Sequence, residues 1–456
     1  MKIHFIAIGG SAMHNLAIAL SKKGNQVTGS DDEIFEPSKT RLTDAGILAP
    51  ETGWFPDKIT GEIDAVILGM HARKNNPELL RAQELGLKIY SYPEYFYEQT
   101  RNKKRVVIGG SHGKTTITSM IMHVLKYNGI LFDWLVGARI DGFDTMVKLD
   151  ADSKIAVIEG DEYLSSPIDM RPKFLLYKPH IALISGIAWD HMNVFPTFEN
   201  YLDQFIAFVK SIEKGGTLVY CNEDENIRKI TGRAEESVRK IPYNTHPYAI
   251  RNNQTYLVTE SEEIPLKIFG KHNLQNLEGA MKICRELGLS DKKIYDAIES
   301  FPGASRRLQV LEKSDNSIVF FDFAHSPSKL KATIDAVKEQ FPNKKLVAII
   351  ELHTFSSLNQ DFLPQYKGTM NKADTALVFF SPETVKHKKL KQLNPEQIRK
   401  AFDPARIEVF SSTSALVDRL DELSSENTNF LFMSSGNFAG LEIKELAGRI
   451  IKNSVK

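Results

Sequence analysis

Cysteine is nearly absent from this chain. Cys221 and Cys284 are the two present in 456 residues, and neither sits at a metal-ligand spacing. A disulfide framework and a zinc site are therefore not expected. An excess of one charge is missing as well: 58 lysines and arginines face 57 aspartates and glutamates, a formal charge of +1. Such a balance gives no electrostatic footprint for nucleic acid and no acidic tail. Long apolar runs are also lacking. Stretches such as IAVI and IALISGIA fall far short of the roughly 20 residues of a membrane span, so no membrane insertion is expected. The opening MKIHFIAIGG runs straight into a strand-and-turn pattern instead of a secretory leader. What is present is an ordinary globular balance, 42% hydrophobic and 25% charged. The expectation is a cytoplasmic α/β protein of roughly three domains.

Periodicity divides the chain into three blocks. The first, residues 1–100, opens with the apolar run IHFIAI, the Gly9-Gly10 turn and a helical pattern through Met13, Leu16, Ala17 and Leu20. QVTGSD reads as a second strand, which makes a βαβ unit; AVILGM and LKIYSYPEY follow, and the charged stretch RNKKR marks the boundary. The second block, residues 101–302, starts with the strand RVVIGG and a helical pattern through Ile117, Met120, Ile121, Val124 and Leu125 that Gly129 ends. Strands IAVIE and HIALISGI come next, then a helical region from Phe198 to Lys214. The runs GGTLVY, QTYLVTE and IPLKIFG suggest a sheet extension with antiparallel pairs, before a helix from Asn273 to Leu287. The third block, residues 303–456, alternates strand and helix through SIVFFDF, KLVAIIE, TALVFF, RIEVF and NFLFMSSG. Alternation of this kind predicts a doubly wound parallel sheet.

The chemistry concentrates at strand ends. Gly109-Gly110-Ser111-His112-Gly113-Lys114-Thr115-Thr116 lies between a strand and a helix, where free N–H groups at a helix N-terminus hold an anion. Glycines let the backbone wrap phosphates, Lys114 would reach the β and γ groups, and Thr115 would hold magnesium. The strict pattern wants glycine where Ile108 stands, so this is a shortened variant of the motif. Lys114 is expected to face solvent in the empty state. The turn Gly9-Gly10-Ser11-Ala12-Met13 could cradle a diphosphate by the same physics, although it lacks the full G-x-G-x-x-G spacing. Asp31, at the end of the second strand, stands where a ribose-binding acid would. Glu159 ends IAVIE, and Asp190-His191 follows the strand at 181–187. Strand C-terminal ends converge on the ligand crevice of an open α/β sheet, and carboxylate oxygens suit a hard metal. Read alone, each of these also fits a plain turn, cap or strand-end hydrogen bond.

In combination, GSHGKTT, EGDE, DHM, GKHNLQN, FPGASRRLQ and DFAHSPSKLKATIDA resemble the motifs of the Mur ligase family, in that family's order and over nearly the whole chain. The resemblance implies three domains: an N-terminal Rossmann-like domain for a uridine-nucleotide substrate, a central ATPase with a mixed sheet, and a C-terminal Rossmann-like domain for the acceptor. It implies an ATP- and magnesium-dependent ligase that activates the carboxylate of UDP-N-acetylmuramate as an acyl phosphate, which an amine then attacks. By the family's pattern Gly110, Ser111, His112, Gly113, Lys114, Thr115 and Thr116 would hold the phosphates, and Asn273 and Asn276 the adenine region. Arg307 and Asp322 would arrive from the third domain on closure, with His325 beside them. Lys114, His191 and Arg307 would carry catalysis, and Thr115, Glu159 and His191 the metal. Gly9, Gly10, Ser11, Met13, Asp31, His71 and His112 would meet the sugar nucleotide.

The resemblance has two branches. GSDDEIFEPSKTRL, the stretch DMRPKFLLYKPHIALISGIAWDHMNVFP and the closing MSSGNFAGL are similar to the branch that recycles a recovered murein tripeptide. ELHTFSSLN is closer to the alanine-adding branch and carries no arginine fork. Its His353, Thr354, Ser356, Ser357 and Asn359, with Lys329, are the acceptor candidates. A nucleotide-switched binding protein is the rival from another class; it would need a switch element, and none is visible.

Overall fold

In the computed structural model, residues 1–190, 192, 194–402 and 407–454 are described. Contacts gather the chain into two units, one of Met1–Ile187, Leu202–Asn244 and Gly279–Ile294, the other of Ala188–Tyr201, Thr245–Glu278 and Tyr295–Lys456.

In the first unit, β1 (Lys2–Ile6), β2 (Gln26–Ser30), β3 (Ala65–Leu68) and β4 (Ile89–Ser91) form a parallel sheet in the order β2-β1-β3-β4. The chain leaves β1 toward β2 on one side, then returns past β1 to β3 on the other. That reversal opens a crevice at the C-terminal end of β1, where the Gly9-Gly10 turn lies. The helix Ser11–Lys22 follows, its apolar face packed from Met13 to Leu20.

The same unit carries a seven-stranded sheet of β5 (Lys104–Gly109), β6 (Asp133–Leu135), β7 (Val147–Lys148), β8 (Ile155–Glu159), β9 (Ile181–Ile184), β10 (Thr217–Cys221) and β11 (Arg239–Tyr243). Its order is β11-β10-β9-β5-β8-β6-β7, all parallel except the β6–β7 pair. GGTLVY was expected to pair antiparallel. It is β10, parallel to β9, because the helix Phe198–Lys210 intervenes and gives the chain the crossover a parallel neighbour needs.

The antiparallel expectation holds for the two later runs, in a sheet of their own. In the second unit β12 (Tyr248–Arg251), β13 (Gln254–Val258) and β14 (Glu263–Leu266) form a meander. Asn252 and Asn253, both at positive φ, make the two-residue turn between β12 and β13; asparagine tolerates that conformation, which matches the twist of a hairpin.

The rest of the second unit is a six-stranded sheet. Its strands are β15 (Gln309–Lys313), β16 (Ile318–Asp322), β17 (Lys345–Leu352), β18 (Thr375–Phe380), β19 (Ile407–Phe410) and β20 (Thr428–Met433), in the order β15-β16-β20-β17-β18-β19. All pairs are parallel except the edge pair β15–β16. Alternate residues feed two separate cores. Phe320, Ala348, Ile350, Val378 and Leu431 enter one, while Val319, Val347, Ile349, Leu377 and Phe430 enter the other. A strand covered on both faces has no polar side to show, which is why KLVAIIEL reads as one apolar run. Each of the three sequence blocks thus owns a principal α/β sheet, and the outer two are Rossmann-like. Among the described residues no helix is long and apolar enough to cross a membrane.

Candidate active site

The Gly9-Gly10 turn is built around Asp31. The Gly9 N–H donates to Asp31 Oδ2 at 2.7 Å, and a Cβ on residue 9 would lie 2.9 Å from that oxygen. Burial, together with the neighbouring Asp32, pushes the Asp31 carboxyl up to about 6. Ser11 and His71 are exposed, whereas Met13 is 4% exposed and packs in the core. Its side chain packs on the buried face of the helix Ser11–Lys22.

The phosphate loop is laced to the end of β9. Gly110 has φ +136°, and a Cβ there would stand 2.2 Å from Ser185 Oγ; Gly113, at φ +78°, turns the chain into the helix Lys114–Tyr127. Side-chain-free backbone is required at both positions. The Ser111 N–H and hydroxyl donate to the Gly186 carbonyl at 2.9 and 3.1 Å, and the Ser185 hydroxyl donates to the His112 carbonyl. The His112 ring lies against Gly186, where a Cβ would fall 2.2 Å from its Cε1 and Nε2. Thr116 is buried in the first turn of the helix.

Lys114 does not face solvent as expected. Its Nζ donates to the Gly110 carbonyl and to Glu162 Oε2, both at 2.6 Å, and Glu162 is 1% exposed. Burial works to lower the lysine's pKa, but Glu162, then Asp161 and Glu159, outweigh it and hold it above the ordinary value. The reason is local: a cation beside three carboxylates in EGDE is more stable folded onto them than extended. Thr115 Oγ1 donates to Glu159 Oε1 at 2.9 Å, and Glu159 Oε2 accepts the Gly137 N–H at 3.0 Å. A hydroxyl and a carboxylate are thus fixed side by side, two hard oxygen donors of the kind magnesium takes. His191, the third expected metal ligand, lies outside the described residues.

The remaining expected residues belong to the second unit. Asn273 and Asn276 are buried, and Asn273 Nδ2 donates to the Phe269 carbonyl at 2.9 Å. Asp322 Oδ2 accepts the Leu308 N–H and Oδ1 the Ala324 N–H, each at 2.7 Å. This carboxylate therefore shapes the Arg306–Leu308 bend, in which Arg306 and Leu308 take positive φ. The Arg307 guanidinium sits 4.9 Å from the Phe323 ring centre. His325 Nδ1 bonds to the Phe323 carbonyl at 2.8 Å, and its Nε2 is 4.0 Å from Asp190 Oδ2, which Lys329 Nζ approaches to 3.9 Å. Burial, then Lys329, lowers the His325 pKa to about 3 despite Asp190.

At the C-terminal ends of β17 and β20 the structure adds residues that pattern reading missed. Glu351 is 1% exposed; its Oε2 accepts from the Ser434 hydroxyl and from the Phe438 N–H at 2.9 Å, and its Oε1 is 3.6 Å from His353 Nδ1. Arg306 Nη2 donates to the Gly436 carbonyl at 3.2 Å. Of the acceptor candidates, Ser356 is buried, and Thr354, Ser357 and Asn359 bond within their own loop; His353 remains partly exposed. The available signal was the lone acid in KLVAIIEL and the doubled arginine in GASRRLQ. Glu162 was visible in EGDE, but nothing in the pattern separated its role from that of Glu159.

Comparisons with known proteins give the same order of parts. Residues 2–104 match the family model described as Mur ligase family, catalytic domain, residues 108–284 the Mur ligase middle domain, and residues 306–436 the Mur ligase, glutamate ligase domain. A UDP-N-acetylmuramate–L-alanine ligase of Sulfurihydrogenibium sp. (strain YO3AOP1) is 31% identical over 368 residues, 79% of this chain and 78% of its own. In fold, the chain is similar to the UDP-N-acetylmuramate–alanine ligase of Thermotoga maritima, with TM-score 0.69, 24% identity and coverage of 99% and 98% of the two chains. The murein peptide ligase of Psychrobacter arcticus 273-4 gives TM-score 0.65 with the same identity and coverage.

Proposed function

The chain belongs to the Mur ligase family of ATP-dependent amide ligases, and we propose that it joins UDP-N-acetylmuramate to the tripeptide L-alanyl-γ-D-glutamyl-meso-diaminopimelate. The observation that carries the ligase reading is the phosphate loop, where Lys114 is poised on Glu162 beside the paired Thr115 and Glu159. In the proposed reaction a lactoyl carboxylate oxygen attacks the γ-phosphorus of ATP, and ADP departs. The peptide amine then attacks the acyl carbon, loses a proton, and phosphate leaves with the bridging oxygen. Lys114 and the loop N–H groups from His112 to Thr116 would neutralise the transferring phosphoryl group, the main work in such a transfer. Thr115 and Glu159, with His191, would hold magnesium, which supplies further charge neutralisation. Asn273 and Asn276 would meet the adenine region, Asp322 would meet the ribose, His325 would lie near them, and Arg307 would meet phosphate. Gly9, Gly10, Ser11, Asp31, His71 and His112 would hold the sugar nucleotide. Domain boundaries near residues 100 and 302 fit this division of labour, and the substrates and setting would be cytoplasmic small molecules.

Support for a peptide acceptor is that Arg306 supplies the basic group that ELHTFSSLN lacks, next to Glu351 and His353. An acceptor with several carboxylates favours a guanidinium. The second reading is L-alanine, favoured by the name of the Sulfurihydrogenibium relative. Measuring kcat/KM for both amines at saturating ATP and UDP-N-acetylmuramate separates them. The tripeptide is expected to win; an L-alanine preference of tenfold or more, about 1.4 kcal/mol in transition-state binding, overturns this choice of acceptor.

A further inference from the structure

Away from both glycine turns, the first unit holds a cavity of 510 Å³, within the size range of small-molecule sites. Its floor is aromatic and aliphatic. Phe132, Trp134 and Phe143 pack with ring centres 5.2 to 6.3 Å apart, and Ile18 and Leu149 complete it. Its rim is basic: Lys22, Lys126 and Lys148 line it with the acid Asp144, Lys148 Nζ lying 3.7 Å from Asp150 Oδ2 and Lys126 Nζ donating to the Gly142 carbonyl at 2.8 Å. Lys126 Nζ stands 5.1 Å from the Phe143 ring centre and Lys148 Nζ 5.2 Å from that of Trp134, so the cations lean over the very rings that form the floor.

The place in the fold separates this cavity from the nucleotide turns. Lys114 begins the helix Lys114–Tyr127 and Lys126 nearly ends it, a span of roughly 18 Å at 1.5 Å per residue. Likewise Ser11 begins the helix Ser11–Lys22, while Ile18, Ala19 and Lys22 lie in its last turns. The cavity wall at Thr145–Val147 also touches the first helix: the Met146 N–H donates to Asn15 Oδ1 at 3.0 Å, and the Ser11 hydroxyl donates to Met146 Sδ at 3.3 Å.

We propose that this cavity is a second ligand site, for a small organic anion with a flat apolar body. The rings receive the body, and the three lysines receive the carboxylate, sulfonate or phosphate that it carries. The chemistry excludes a cation of the same shape and leaves a neutral ring system without its ionic partner.

The test uses the full chain and naphthalene-2-sulfonate as the probe, followed by quenching of Trp134 and by calorimetry. Saturable one-to-one binding is expected, unchanged by a saturating non-hydrolysable ATP analogue. Lys126→Glu and Lys22→Glu should each weaken it at least fivefold, and Trp134→Phe should remove the quench but not the calorimetric binding. 2-Naphthylmethylammonium should not bind. Absence of saturable binding overturns the proposal, and so does competition by the ATP analogue, equal binding of the cationic probe, or indifference to both lysine reversals. Ligase activity of the two lysine variants should match the parent, since neither lysine belongs to the nucleotide machinery.

Discussion

The phosphate loop and the mouth of the C-terminal sheet solve the same problem, holding a charged group in a nearly dry place, by opposite means. At the phosphate loop one continuous peptide does most of the work. Gly110 and Gly113 set the backbone, and Lys114 reaches four residues back to the Gly110 carbonyl. At the mouth, Glu351 is held by Ser434 and Phe438, more than 80 residues away in sequence, and Arg306 comes from a third segment to Gly436. A local device can be recognised by spacing; an assembled one cannot, because its geometry exists only once the strands have paired.

Three substitutions sharpen that contrast, beginning with the largest effect. Lys114→Ala removes the cation from the loop and should cut turnover by roughly 100- to 1000-fold, the range seen when one such stabilising donor is deleted. Single-turnover phosphate release checks it, with circular dichroism reporting the fold. Near-normal turnover in a folded variant would remove Lys114 from the reaction.

Glu351→Gln tests the assembled mouth through stability. Burial works against the Glu351 charge, but the nearby His353 imidazole and hydrogen bonds from Ser434 and the Phe438 backbone prevail and hold its pKa below the ordinary 4.5. A carboxylate depressed in the folded state stabilises above its unfolded pKa, and that contribution disappears as pH falls through the folded one. The variant should therefore unfold about 2 kcal/mol more easily at neutral pH, with the gap closing below the ordinary 4.5. Urea titrations across this range decide it; a gap that persists in acid would mean that the charge is not what holds the mouth.

His325 predicts a smaller effect of the same sign. Its pKa falls from 6.5 to about 3 in the folded state, so the neutral ring stabilises fully above 6.5, and this contribution drains away as pH falls toward 3. His325→Gln should flatten the pH dependence of stability in that window, by about 1 kcal/mol near pH 5.5. A parent protein whose stability is level from pH 7 to 5 would contradict the buried, neutral histidine.

Much of the architecture was legible because apolar periodicity is a local property. IHFIAI, IAVIE, KLVAIIEL and NFLFMSSG each announced a strand, and each sheet's core residues follow from them. The strands that escaped were short or polar, such as β7 with two residues and β15, whose QVLEK has no apolar face to display. The direction of β10 escaped for a different reason: pairing sense depends on the helix that precedes it, not on the strand's own residues.

The sequence by itself determined the class of fold, the glycine turns and the phosphate loop, since these rest on neighbours a few residues apart. Only the tertiary structure decided that Lys114 lies on Glu162, that Met13 is core, that Asp322 shapes the Arg306–Leu308 bend and that Glu351 meets Ser434. The three polar contacts among them join residues 14 to 83 positions apart. Each arrangement sets a buried side chain against its partner, a charge or hydrogen-bonding group for the carboxylates and apolar neighbours for Met13, which no residue can do until the fold has excluded water around both partners.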